Sequence, residues 1–295
     1  CDLQEVAGKT IIGIGGGSVM DIARILSLAL DTMEPLSEIV ADPDRFVPRQ
    51  RKLVVLPTTS GTASEVTPWA TIWDPDNQQK LSLAHPNLFA DLAVIDPALC
   101  VGMSPEQTAI TGMDTLSHCL ETLWSQGSQP LTEMFAEQAL ELALIYLPQA
   151  VERPQDLVAR EAMAKACLLA GMAFSQTRTA AAHSISYPLT LLYEVPHGIA
   201  CSITLPVLLV ENARGDSVRL LRIARLLGAD SVAKAKQVLT SFMKSIGVPT
   251  RLSELGIRQE DIAGIAERSV TKGRMDNNIR PLNESDVKRL LTMIA

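Results

Sequence analysis

The sequence predicts an α/β layer with parallel strands over residues 1–104, followed by an all-helical domain over residues 105–295. Three observations carry this reading. Short apolar, β-branched runs in the first third of the chain end at glycine, proline or aspartate. The first two lead into turns of small residues, and the first of these turns opens a helical pattern. After about residue 104 only helical periodicity remains. Strands interleaved with helices are the pattern of a parallel sheet.

The elements follow in order. Residues 10–15 (TIIGIG) read as a buried strand ended by glycine. Gly15, Gly16 and Gly17 then make a turn. Ser18 and Asp21 fit the S-x-x-D capping pattern at the head of a helix running through Ala29. Residues 52–56 (KLVVL) form a second strand, which enters Pro57 and the hydroxyl-rich loop Thr58–Glu65. Residues 69–73 (WATIW) and 92–96 (LAVID) read as further strands, the last stopped by Asp96-Pro97. Helical periodicity covers 105–127, 131–147, 156–174, 176–191, 198–213, 216–228, 231–246, 259–269 and 284–294. Ser104-Pro105 is a helix start with proline at the first position, and Asn283 or Ser285 caps the last helix.

At 295 residues the chain is long enough for a large core. A net charge of −7 and the lack of any Lys/Arg run disfavour a nucleic-acid partner. An aromatic content of 4% argues against a base-stacking platform. The apolar runs are too short and interrupted to span a membrane, and no signal-peptide pattern is present. Five scattered cysteines without a C-x-x-C read as buried reduced thiols in a cytoplasmic protein.

Two loops and four side chains carry the chemistry. Glycines after a strand let a diphosphate approach the backbone, and the free N–H groups of the next helix point at it. The hydroxyls of the second loop can hydrogen-bond a pyrophosphate, ribose or carboxamide. Two such loops after successive strands point to a dinucleotide across the strand ends. Asp114 and His118 lie four residues apart, on one helix face. A lone D-x-x-x-H is more often a buried histidine bonded to backbone, but His183 and His197 follow in a second Gly- and Ala-rich segment. One aspartate and three histidines suit Fe(II) or Zn(II) better than Mg(II) or Ca(II). His85, before a proline, reads as a loop residue without a catalytic role.

Taken together, these pieces resemble the iron-dependent (group III) alcohol dehydrogenase family. The matching segments are GGGSVMD at 15–21, PTTSGTASEVT at 57–67, Lys80 ahead of LAVIDPAL, and TGMDTLSHCLE at 111–121. They continue through AGMAFSQ at 170–176, AHSISYPLT at 182–190, VPHGIACSITLP at 195–206 and the terminal NNIRPLNESDVKRLL. The resemblance implies a dinucleotide-binding α/β domain, a helical metal-binding domain and an active site in the cleft between them. It implies Asp114, His118, His183 and His197 as metal ligands. Gly15, Gly16, Gly17 and Ser18 would face the cofactor diphosphate, and Thr58, Thr59, Thr62 and Ser64 would line the nicotinamide and its ribose. Lys80 and Leu99 would also contact the cofactor, and Phe174 would wall the substrate pocket.

The implied activity is hydride transfer between NAD or NADP and a small alcohol or aldehyde, with Fe(II), or alternatively Zn(II), as Lewis acid. A cytoplasmic homodimer is implied as well. Many members carry a proton-moving histidine where this chain has Tyr187, whose phenol can hydrogen-bond but has an ordinary pKa near ~10. The family also has a longer amino-terminal part, so the chain, which starts at Cys1, reads as amino-terminally truncated. Arg178, five residues before His183, is a candidate partner for an acidic tail on the substrate; a surface arginine on a helix is the alternative. Two other functions compete. One is a dehydroquinate synthase-like lyase using NAD and a metal. The other is a non-catalytic metal-binding remnant of the family.

Overall fold

A computed structural model describes residues 8–32, 38, 51–74 and 79–295 of the chain. Strand β1 (Ile11–Gly15) pairs in parallel with β2 (Leu53–Pro57), Ile11 lying opposite Leu53 and Gly15 opposite Pro57. Strand β2 also pairs in parallel with β5 (Leu92–Ala93), giving the order β1-β2-β5. Helix α1 (Gly17–Thr32) buries Met20 and Ala23 against Leu53 and Val55 of β2. A side chain at Gly13 would come 2.8 Å from the Ala23 methyl, so the glycine lets helix and strand close up.

Three expectations for this half are corrected. The WATIW segment is not part of the parallel sheet. It forms β3 (Trp69–Asp74), which pairs antiparallel with β4 (Gln79–Ala84), a strand the sequence reading passed over. The LAVID segment pairs at only two residues, because Asp96 turns to cap a short 3₁₀ turn at Pro97–Cys100, accepting from the Ala98 amide. The Ser18/Asp21 cap does not form. The helix opens one residue earlier, and the Asp21 carboxylate accepts from the Arg24 guanidinium, the Ser64 hydroxyl and the Thr71 amide instead. Arg24 is itself fully buried and donates to the carbonyls of Leu88 and Trp69 and to Ser64. One guanidinium with its carboxylate thus ties α1 to the hydroxyl loop and the β3–β4 hairpin, satisfying groups that would otherwise be costly to bury.

The second half is helical. Helix α2 (Pro105–Trp124) starts where Ser104 accepts from the Gln107 amide, and it is buried without interruption from Thr111 to Trp124. It is wrapped by α3 (Pro130–Glu152) and α4 (Leu157–Thr177), whose alanines (Ala136, Ala139 and Ala143; Ala166, Ala170 and Ala173) sit in the core and permit close helix contact. Then come α5 (Ala181–Tyr193), α6 (His197–Ser202), α7 (Leu205–Asn212), α8 (Ser217–Leu226), α9 (Val232–Ser245), α10 (Ile262–Arg268) and α11 (Glu284–Thr292). Asn283 caps the last of these, accepting from the Asp286 amide.

The continuous helix expected over 176–191 is broken at Arg178, which has φ 62°. The Asn277 side chain holds that break by donating to the carbonyls of Thr177 and Thr179. The helix expected over 198–213 divides into α6 and α7, since Pro206 has no N–H to continue the ladder. Among the described residues no helix is long and apolar enough to cross a membrane.

Candidate metal and cofactor site

The front half brings its two loops together. A Cβ at Gly17 would lie 2.8 Å from the Thr62 side chain, and one at Gly16 would lie 3.4 Å from the Thr59 hydroxyl. The Thr58 amide donates to the Gly15 carbonyl. The hydroxyl loop also rests on α2, where a Cβ at Gly61 would meet Thr111 at 2.8 Å. The cofactor loops are therefore set directly against the helix that carries Asp114 and His118.

Those residues face a cleft of ≈ 210 Å³. Gly17, Ser18, Thr62 and Ser64 line it from the loop side; Asp114, His118, His183 and His197 line it from the helices. The Ser64 hydroxyl is already engaged with Asp21. Gly15, Gly16, Thr58 and Thr59 stand behind this lining, and Leu99 lies exposed in the 3₁₀ turn away from it. Lys80 falls in β4, but its side chain lies outside the described residues. Phe174 and Tyr187 line the cleft. Phe174 stacks on His118 with ring centroids 3.9 Å apart and on Trp69 at 5.5 Å.

All four candidate ligands converge. Asp114 Oδ1 lies 3.5 Å from His183 Nε2 and 3.8 Å from His118 Nε2. His183 and His197 meet edge to face at 5.5 Å. The tightest donor set, with atoms all within 4.8 Å of one another, is Asp114, His183, His197 and Cys201. His118 flanks this set, its ring stacked on His183 at 4.7 Å. Cys201 was missed by the sequence reading, although the His197–Cys201 interval repeats the i, i+4 spacing of Asp114–His118 on one helix face. Asp114 Oδ1, His183 Nε2 and His118 Nδ1 are buried without a hydrogen-bond partner among the described residues. Buried polar atoms are normally satisfied. Two of these orphans, Asp114 Oδ1 and His183 Nε2, stand 3.5 Å apart within the carboxylate and imidazole set and fit a transition-metal or zinc ion.

Glu121, one turn beyond His118 and wholly buried, completes the arrangement. One of its oxygens accepts from the Ala182 amide (2.6 Å) and the His183 amide (3.3 Å), capping α5, which lacks a side-chain cap of its own. The other lies 2.6 Å from His183 Nδ1. A carboxylate only accepts, so Nδ1 carries a proton, which leaves Nε2, on the Asp114 side, as the nitrogen that would serve a metal ion. Burial pushes the Glu121 carboxyl up, but His183 and the α5 amides outweigh it and hold it below the usual range. Asp114 is held down in the same way, against burial, by His118 and His183. Burial lowers His118 to about 4, despite Asp114, which keeps that imidazole neutral and available as a donor near pH 7. The Cys201 thiol is drawn down to about 7, against burial, by His183 and His197.

Replacing Glu121 with glutamine should preserve the α5 cap but free the His183 tautomer. Metal affinity should then fall by about 10–100-fold with little change in helix content. Competition with a chromogenic chelator, beside circular dichroism, reads both quantities; unaltered affinity would argue against this role.

Arg178 does not join the cleft. The left-handed turn at the end of α4 leaves it exposed, and the guanidinium that lines the cleft belongs to Arg274.

A glycine-rich strand-to-helix turn facing a buried cluster of carboxylate and imidazoles is the arrangement of a metal- and dinucleotide-dependent enzyme. Comparison with known proteins gives the family. Residues 2–97 match the iron-containing alcohol dehydrogenase model, and residues 108–295 match the Fe-containing alcohol dehydrogenase family, C-terminal model. The chain is 32% identical over 292 residues to the NAD-dependent methanol dehydrogenase of Bacillus methanolicus, covering 95% of this chain and 76% of that one. It is 32% identical over 285 residues to the 1,3-propanediol dehydrogenase of Klebsiella pneumoniae, covering 94% and 73%. The crystal structure of sulfoacetaldehyde reductase from Bifidobacterium kashiwanohense in complex with NAD+ superposes with a TM-score of 0.93 at 29% identity, covering 99% of this chain and 78% of that one.

The chain belongs to the iron-containing alcohol dehydrogenase family. It is an NAD(P)-dependent oxidoreductase acting on CH–OH groups, and the lyase alternative is not favoured.

Proposed function

We propose that Asp114, His118, His183 and His197 hold one Fe(II) ion and that hydride passes between a small alcohol or aldehyde and NAD bound along the two loops. The observation that carries the ligand assignment is the pair of orphaned, buried donor atoms Asp114 Oδ1 and His183 Nε2, with His197 in the same donor set and His118 Nε2 beside it. When bound, the ion supplies Lewis acidity toward the substrate oxygen. The chain's own residues do the rest. Gly17 leaves room for close approach of the cofactor, and Ser18 and Thr62 bring polar groups to it. Phe174 walls the cleft and braces His118. Tyr187, one turn after His183, brings a hydroxyl to the cleft for orienting substrate. The cleft, ≈ 210 Å³, is smaller than the ~300–1,000 Å³ of drug-sized sites, which accords with a small substrate.

Cys201 adds a soft donor beside the cluster, the kind of ligand that suits Zn(II); metal analysis of the purified protein separates the two ions. The division into domains at 104/105, the homodimer and the cytoplasmic location are part of the same reading. The test is metal content together with reduced-nicotinamide absorbance, using a panel of short alcohols and aldehydes with NAD and NADP. Turnover should vanish on chelation and return with metal. Stoichiometric metal without turnover on any substrate would instead favour the non-catalytic remnant.

A further inference from the structure

We infer that Arg274 forms an oxyanion subsite in the cleft, so that the favoured aldehyde or alcohol carries a short carboxylate, sulfonate or phosphonate tail. This rests on the alcohol/aldehyde reading above.

Arg274 lines the same cleft as Asp114, His118, His183 and His197, and among the described residues it is the one arginine or lysine that does so. Arg222, Arg280 and Arg289 each lie against carboxylates. Among the described residues, no carboxylate lies within ion-pair distance of Arg274. Its recorded side-chain contact is with a ring face, Cζ standing 6.0 Å from the Trp69 centroid. A guanidinium on an aromatic face keeps its in-plane N–H donors for another group. The other acidic groups lining the cleft are committed elsewhere. Asp21 is held by Arg24, Ser64 and Thr71, and Asp114 belongs to the metal cluster.

The backbone beneath Arg274 is fixed relative to that cluster. The Thr271 amide donates to the hydroxyl of Ser184, the residue after His183. The Arg274 amide donates to the Thr271 carbonyl. Three residues on, Asn277 clasps the carbonyls of Thr177 and Thr179. A cation fastened in this way to the helix that carries His183, and half removed from water, gains most from an anion that meets its planar fork. Thr179 and Tyr187 line the cleft as well and offer hydroxyl donors to the same anion. The small cleft limits the tail to a few atoms beyond the reacting carbon.

The test uses the metal-loaded full chain with Arg274→Met and Arg274→Lys. kcat/KM is compared for succinic semialdehyde, sulfoacetaldehyde and phosphonoacetaldehyde against butanal and propanal. Calorimetric titration with 2-hydroxyethylphosphonate against 1-propanol gives a readout independent of turnover. The wild type should favour the anionic substrates. Arg274→Met should cost them about 10–100-fold while changing the neutral ones less than about threefold, and Arg274→Lys should fall between. The phosphonate should bind the wild type and lose its binding heat in Arg274→Met. Three results would overturn the inference: preference for neutral aldehydes, equal loss on both classes, or a loss confined to NADP affinity, which would assign Arg274 to the cofactor. Turnover of neutral substrates alone defeats only this subsite. No turnover on either class, with no phosphonate binding, defeats the underlying reading too.

Discussion

Replacing Asp114 with asparagine is expected to strip the metal and lower kcat/KM by about 10³-fold or more, the scale of several kcal/mol of charge stabilisation. The substitution is nearly isosteric, so the helix should keep its shape. What it removes is the anionic donor around which the cluster is arranged. Asp114 Oδ1 has no hydrogen-bond donor of its own among the described residues, while the imidazoles of His118 and His183 both face it. An amide oxygen offers a cation a dipole instead of a charge. The metal-free protein should lose some stability as well, since the histidines around Asp114 hold its carboxyl below the usual range and so favour the charged form in the folded state. Elemental analysis, circular dichroism and reduced-nicotinamide absorbance together check this. Stoichiometric metal with turnover within tenfold of wild type would remove Asp114 from the ligand set.

The second large effect is expected at Gly198, which directly follows His197. A methyl placed there would come 1.9 Å from the Ile110 carbonyl oxygen and 2.8 Å from its carbon. These are backbone atoms of α2, so no rotamer change relieves the overlap, and α6 must move away from the helix it packs on. Overpacking of this kind costs about 1–3 kcal/mol, occasionally more. The same displacement pulls His197 from Asp114, so Gly198→Ala should lose metal together with thermal stability. Gly264→Ala is the control. That residue lies within α10 with nothing inside 4 Å of the added methyl, where alanine is the better helix former by about 1 kcal/mol. An unchanged Tm and full metal content in Gly198→Ala would show that α6 is free to shift.

Most of the candidate site was legible because it is written in short intervals. The four-residue step from Asp114 to His118 becomes one turn of α2, and the glycine and hydroxyl loops sit at strand ends, where chain direction alone exposes amides. Cys201 carried the same interval from His197 and was passed over as one of several scattered thiols. Arg178 stands five residues before His183 along the chain. Nearness along the chain is not nearness in space, since a single left-handed residue turns that side chain out, and Arg274, some ninety positions later, lines the cleft instead. Asp21 fits the cap pattern but is engaged by Arg24 one turn on in the same helix and by Ser64 and Thr71 from two other segments, neither of which a local window contains. Strand β4 escaped because its pairing partner is an antiparallel neighbour of its own rather than the parallel sheet.

The stack that begins at Trp69 and passes through Phe174 to His118 and His183 has an optical consequence. An indole two rings from the metal cluster makes Trp69 an internal lamp. A paramagnetic, redox-active ion at the cluster would dim its emission, whereas zinc, with a filled d shell, would leave it bright. The colour and intensity of the protein's own fluorescence would then report which ion is seated, with no substrate added.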